Sequence, residues 1–391
     1  MIGKKLLKYI AAAMAMIMVL TLTACNKEGE DSSSSGDSSE TEEIPQGSVH
    51  KVGYIYHKNA SDNGFTGQMN AQKNKAVSRS GMETCYIENV SVSDFENAVK
   101  ALVTAGCTDI VAASSVYTNV LGSVSRKYMD INFIGYGSTS GTANVYSYTE
   151  TAYQGAYIAG MAAAYNTASE KVGIVADTDL LYVIPTINAA ALGMQIVYSN
   201  AVMYAASATR DDEIAAAIDA LLGQGCDVVI CYTASPYSAE YCQQKGVKFI
   251  DSLDHSSDAK NYSNMIMYFH CARDSFFLSQ FKQLKMDMWQ PDSYVGTMAN
   301  GIVNISEACS AAKEGTQDII NALIPKVTSG KAHIFEGELK DTYDSVRYMQ
   351  NEVMTPNQIY SMDWYVKGVE IIGSYRQPQT DIAPNDLEIK Y

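Results

Sequence analysis

From residue 52 onward the chain repeats one pattern. A short apolar run is followed by a loop rich in Gly, Ser or Asp, and then by a stretch with helical spacing. Strands are expected at 52–56, 84–88, 109–113, 132–136 and 145–148. Asp94 opens a helix with Phe95, Ala98, Val99 and Leu102 on one face, closed by Gly106. After a small-residue helix at 152–165 the cycle restarts. Strands are expected at 171–176, 201–206, 227–231, 247–250 and 264–269, with helices at 184–198, 211–222, 239–244 and 273–287 between and after them. Strands alternating with helices demand parallel sheets covered on both faces, so the fold class is α/β. Two such runs predict two doubly wound lobes. The C-terminal part reads as helices at 317–327 and 361–369 around Phe335-Glu336-Gly337-Glu338. The lobes are expected to comprise 49–148 with about 266–290, and 149–265 with about 291–391, joined by a hinge of several chain crossings, the first at 149–154.

The N-terminus has a different character. Lys4, Lys5 and Lys8 precede an apolar run to about Leu20, and Leu22-Thr23-Ala24-Cys25 follows. A charged start, an apolar middle and small residues before a cut site make a secretory signal peptide over 1–24. The apolar run is short for a membrane span of about 20 residues. The Leu-x-Ala-Cys ending resembles a bacterial lipobox. That resemblance implies a diacylated Cys25 anchoring the protein on an outward membrane face. Residues 25–48 carry seven acids against Lys27 alone and almost nothing that can be buried, so they are expected to be a disordered tether.

The net charge of −15 argues against nucleic-acid binding, which favours a basic surface. Seven cysteines remain besides Cys25. Most sit in apolar strand-like runs and read as small buried hydrophobes. Their spacing lacks a paired C-x-x-C, so neither a zinc site nor a disulfide framework is expected. The sequence holds no G-x-S-x-G elbow, P-loop or H-E-x-x-H. Gly296 to Gly301 lacks the second glycine of a dinucleotide fingerprint. No catalysis and no cofactor are expected.

In open α/β sheets, ligands lie beyond the carboxyl ends of the strands. That rule selects loops 57–65, 114–118, 177–182, 232–237 and 251–255. Phe65 can set a ring over a flat ligand, with Tyr117, Tyr182, Tyr232 or Tyr237 opposite. Tyrosine is abundant, 27 against nine Phe and two Trp, and it combines a stacking face with a polar tip. Asp62 and Asp254 can accept hydrogen bonds from ligand hydroxyls. Ser114, Ser115 and Thr233 can donate to ligand acceptors. Asp177 and Gln154 complete the candidate set, with His255 and His270 as weaker members.

Several motifs then point to one family. Lys51-Val52-Gly53-Tyr54-Ile55-Tyr56 with Asp62-x-Gly64-Phe65 resembles the opening of the basic-membrane-protein family of ABC-transporter substrate-binding lipoproteins. Tyr153-Gln154-Gly155-Ala156-Tyr157-Ile158-Ala159-Gly160 is similar to its hinge helix. Ile187-Asn188-Ala189-x-x-Leu192-Gly193, Gly225-Cys226-Asp227-Val228-Val229 with Thr233-x-Ser235-Pro236, Phe335-x-Gly337 and Met362-x-x-Tyr365-Val366-x-Gly368-Val369 follow in the family's order. The resemblance implies a type I periplasmic-binding fold, a monomer that closes on a purine nucleoside or nucleobase, and delivery to an ABC permease. Two positions depart from the family: Ala234 stands where it carries Asp, and His270 and Arg273 stand near the place of a Lys. A same-fold binder of a sugar or flavin, or a lipoprotein that signals to a receptor, are the alternatives.

Overall fold

The computed structural model describes residues 49–62, 64–137, 142–178, 180–208, 210–373 and 387–391. The leader 1–24, Cys25 and the tether 25–48 lie outside the described residues.

The first lobe is built from β1 (Lys51–Ile55), α1 (Phe65–Ser80), β2 (Glu83–Ile87), α2 (Phe95–Thr104), β3 (Asp109–Ala112), α3 (Thr118–Ser125), β4 (Asn132–Tyr136) and β5 (Val145–Glu150). The second follows with α4 (Ala152–Asn166), β6 (Lys171–Ala176), α5 (Ile184–Val197), β7 (Val202–Ser207), α6 (Asp211–Gly223), β8 (Val228–Tyr232), α7 (Tyr237–Lys245), β9 (Lys248–Asp251) and β10 (Met265–Cys271). The chain then returns to the first lobe through α8 (Arg273–Lys285) and β11 (Ser293–Gly296). It ends with β12 (Val303–Ile305), α9 (Thr316–Thr328), the ribbon β13 (Leu339–Lys340) and β14 (Val346–Tyr348), α10 (Pro356–Tyr360) and β15 (Val369–Ile372).

The first sheet runs β11-β5-β4-β3-β1-β2 and is parallel throughout. The second runs β12-β10-β9-β8-β6-β7-β15, with only β12 antiparallel. Central strands are apolar along their whole length because helices cover both faces. Residues of one strand alternate between cores. Ile110 joins the outer core under α2 and α3, and Val111 faces the opposite way into the inner core.

Helix α4 has no polar face, and it is buried among α5, β8, β10 and α9. Its contact with α5 brings the two backbones close together. A Cβ on Gly160 would stand 1.9 Å from the Ala190 carbonyl oxygen, and one on Gly193 would stand 2.1 Å from that of Tyr157. The small residues of both motifs let two backbones touch.

One expectation is corrected. Residues 361–369 do not form a helix. Met362, Tyr365, Val366 and Val369 have helical spacing, but buried Asn188 captures the segment in irregular form. Its amide donates to the Trp364 carbonyl at 2.9 Å and accepts from the Val366 N–H at 3.0 Å. Strand β10 continues beside β9 in the second sheet, so the crossing falls at Ala272, after the strand. β11 extends the first sheet, and Lys390 bridges Tyr86 at the edge of that same sheet.

Among the described residues, three crossings connect the lobes, at Thr151, at Ala272 and between β11 and β12. They are tied together. The Thr151 N–H donates to the Gly296 carbonyl at 2.8 Å, and the Ala272 N–H donates to that of Ile302 at 2.8 Å. Among the described residues, no helix is long and apolar enough to cross a membrane.

Candidate functional site

The loop after β1 turns onto the first residues of α1, and Asp62 makes that turn. Its Oδ1 accepts from the N–H of Gly67 at 2.7 Å and of Gly64 at 3.2 Å. Glycine is required at 67, since a Cβ there would fall 1.8 Å from the Asp62 carbonyl oxygen. Asp62 Oδ2 is buried and accepts no hydrogen bond from any described residue. Burial pushes the carboxyl pKa up to about 6, against the pull of the two N–H donors and Lys58.

This turn delivers Phe65 to the junction of the lobes. Its ring lies 4.7 Å from Tyr136, at the end of β4, and 4.5 Å from Tyr182 of the second lobe, centroid to centroid. The Arg273 guanidinium sits 5.1 Å from the same ring. Arg273 opens α8 and is buried. Its Nε donates to Glu150 at 2.8 Å, its Nη2 donates to the other carboxylate oxygen, and its Nη1 donates to Gln68 at 3.0 Å. The Tyr148 hydroxyl donates to Glu150 at 2.9 Å. Burial opposes the guanidinium charge, but the paired carboxylate outweighs it and holds the pKa above its ordinary value.

Further contacts span the lobes beside the Phe65–Tyr182 pair. Lys58 Nζ stands 2.6 Å from Oδ2 of buried Asp177, at the end of β6. Gly64 faces the same oxygen, and a Cβ there would lie 3.2 Å from it. Gln68 Nε2 donates to the Thr233 carbonyl at 2.9 Å. Tyr232 lies parallel to Phe269 at 6.1 Å, within electrostatic reach of Tyr136, Tyr182 and Arg273.

The structure therefore gathers Asp62, Phe65, Asp177 and Tyr182 at one point, with Tyr232 and Thr233 beside them. The Thr233 hydroxyl itself is engaged by Ser238 at 2.6 Å. Other candidates sit elsewhere. Tyr117 is fully buried in the outer core of the first lobe, packed on Phe95, with its hydroxyl donating to Val90 at 2.7 Å. Ser114 caps the single turn at Ser115–Tyr117, and Ser115 packs against Gly137. Gln154 is a hinge residue, and its Oε1 accepts from Thr151 at 2.7 Å and from the Met298 N–H at 2.9 Å. Tyr237 pairs with Tyr241 on the outer side of α7. Asp254 is exposed and 3.9 Å from Lys75 of the first lobe. His255 is held between Asp251 and Asp258, each at 2.8 Å, and His270 lies over Tyr268 at 6.2 Å.

Lys58, Gln68, Tyr136 and Glu150 escaped the sequence reading. Lys58 and Tyr136 carried a usable signal, since both stand where a strand gives way to its carboxyl-end loop. Glu150 ends β5 and carried the same signal, whereas Gln68 carried none, since a helix residue joins the site only through Arg273 and the Thr233 carbonyl. Among the described residues, no group of three or more His, Cys, Asp or Glu is placed to hold a metal ion.

A family model described as ABC transporter substrate-binding protein PnrA-like matches residues 49–246. A purine-binding protein of Brucella abortus is 23% identical over 328 residues, covering 82% of this chain and 93% of the relative. A putative ABC transporter glucose-binding protein of Haloferax volcanii is 23% identical over 297 residues, covering 75% of each. Among solved structures, an ABC transporter solute-binding protein of Aeropyrum pernix is similar with a TM-score of 0.60 at 15% identity, over 75% of this chain and 93% of that one. That likeness carries the fold, the type I periplasmic-binding architecture of two doubly wound lobes.

Proposed function

The chain belongs to the family of PnrA-like ABC transporter substrate-binding proteins, and from that premise we propose that it captures a purine nucleoside or nucleobase between its lobes for delivery to an ABC permease. The observation that carries the reading is the Phe65–Tyr182 pair. One ring belongs to each lobe, so opening the lobes parts them, and a flat ligand entering the gap is sandwiched on closure. Base–aromatic stacking contributes about 1–3 kcal/mol per base. Asp62 Oδ2 supplies an unfilled acceptor beside the ring for a ligand N–H or O–H. Asp177 and Lys58 supply a second polar edge. The relative named as purine-binding supports this ligand class.

The Cys25 lipobox completes the proposal, with a lipid-anchored monomer on the outward face of the membrane. Cys25→Ala is expected to release the protein from the membrane fraction or leave it unprocessed, and normal lipid labelling of the variant would refute the anchor.

Calorimetric titration of the folded body with nucleosides, free bases, ribose and glucose tests the ligand. Heat on titration with a purine compound alone is the expected result. Binding of glucose alone would favour a sugar reading, which the Haloferax relative's name supports and which the carboxylates at the lobe junction also suit.

A further inference from the structure

Two cysteines outside the ligand site lie almost in bonding contact. Cys85 is on β2, in register with Gly53 of the neighbouring β1, and Cys107 stands just before β3 on the other side of β1. Their sulfurs are 3.3 Å apart, and both side chains are buried. Gly53 makes the room, because a Cβ there would lie 3.0 Å from the Cys107 sulfur and 2.9 Å from Leu102. The surroundings favour thiolate chemistry at one of the two. Lys51 and buried Lys73 both act on Cys85, and Lys73 is held between the rings of Tyr54 and Tyr86. The hydrogen bond to Cys107 chiefly lowers the Cys85 pKa, with the two lysines adding to it, whereas Cys107 is raised.

We propose that Cys85 and Cys107 form a disulfide that locks edge strand β2 to the centre of the first sheet. The sulfurs need approach by only about 1.2 Å to reach the ~2.05 Å bond. The oxidant is an external disulfide. The Cys85 thiolate attacks one of its sulfurs and expels the first thiolate. Cys107 loses its proton, attacks Cys85 in the mixed disulfide and expels the second. Two protein thiols are oxidised and one external disulfide is reduced to two thiols. Access comes through β2, the edge strand of its sheet, during folding or local opening. Oxidising surroundings follow from the outward placement proposed above, but the bond is tested apart from it.

The full chain is refolded in reduced and oxidised glutathione, its free thiols are blocked under denaturing conditions, and its peptides are weighed before and after reduction. The expected result is a linked pair containing Cys85 and Cys107, both unlabelled until reductant is added. Reduction should also lower the Tm of the wild type and leave that of a Cys85→Ala/Cys107→Ala variant unchanged. Full labelling of both cysteines before reduction in natively folded protein, or linkage of either to a different cysteine, overturns the proposal.

Discussion

Phe65 and Asp62 carry opposite tensions between stability and binding. The Phe65 ring already contacts Tyr136, Tyr182 and Arg273. Phe65→Ala should therefore weaken ligand binding by about 1–3 kcal/mol, roughly a 5- to 150-fold rise in Kd. It should also lower the apo Tm. Phe65→Trp preserves the flat face and should keep most of the affinity, and unchanged affinity in the alanine variant would remove Phe65 from the site. Asp62 behaves differently, because its carboxyl is pushed up to about 6 in the folded protein, above the unfolded value near 3.9. A raised carboxyl pKa favours folding while the group is protonated. The contribution is fully present below about pH 4 and is lost as pH rises through about 6, about 3 kcal/mol in all. Asn at 62 mimics the protonated form and keeps the acceptor for Gly64 and Gly67. Asp62→Asn should gain on the wild type in apo stability between pH 4 and pH 7 and bind ligand less well. Parallel pH profiles of Tm for the two proteins would refute the argument.

At the scale of elements, the α4–α5 contact is the least forgiving. The atoms that would meet a Cβ at Gly193 are backbone, which cannot turn aside. Gly193→Ala should cost about 3 kcal/mol or more, at the upper end of overpacking. Gly223, at the end of α6, has nothing within 4 Å of its Cβ position. Gly223→Ala should be neutral or stabilise by up to about 1 kcal/mol through helix propensity. Chemical denaturation of the two variants gives the comparison, and equal stabilities would contradict the close backbone approach. Asn188 works at this scale too. One buried amide replaces the missing helical hydrogen bonds of residues 364–366.

Across the whole molecule, the tied crossings at Thr151, at Ala272 and between β11 and β12 leave hinge rotation as the easy motion. The faces that meet on closure are joined by Lys58–Asp177, Gln68–Thr233 and Phe65–Tyr182. Saturating nucleoside should reduce the radius of gyration in solution scattering while the circular dichroism spectrum stays constant. Lys58→Met removes one tie between the lobes, so the free variant should be more expanded than the free wild type. An unchanged radius in both experiments would count against a closing cleft.

What the sequence determined by itself was local and periodic. Strand positions through β10 and the helices α2 and α4 to α8 were legible within about two residues, because burial on both faces imposes runs of apolar residues that each segment carries alone, whereas α3 went unread. The loops at the strand ends were legible too, since their place follows from parallel topology, and Asp62, Phe65, Asp177 and Tyr182 came from that rule. Tertiary structure alone decided the rest. Residues 361–369 had a helix's spacing and lost the helix to Asn188. Tyr117 followed the same strand-end rule as Phe65 but turned into the outer core. Arg273 and Glu150, 123 positions apart, met only because two crossings run side by side through the hinge. Periodicity records which face of a segment is buried, but which distant side chains share that burial is set by where the crossings place the lobes.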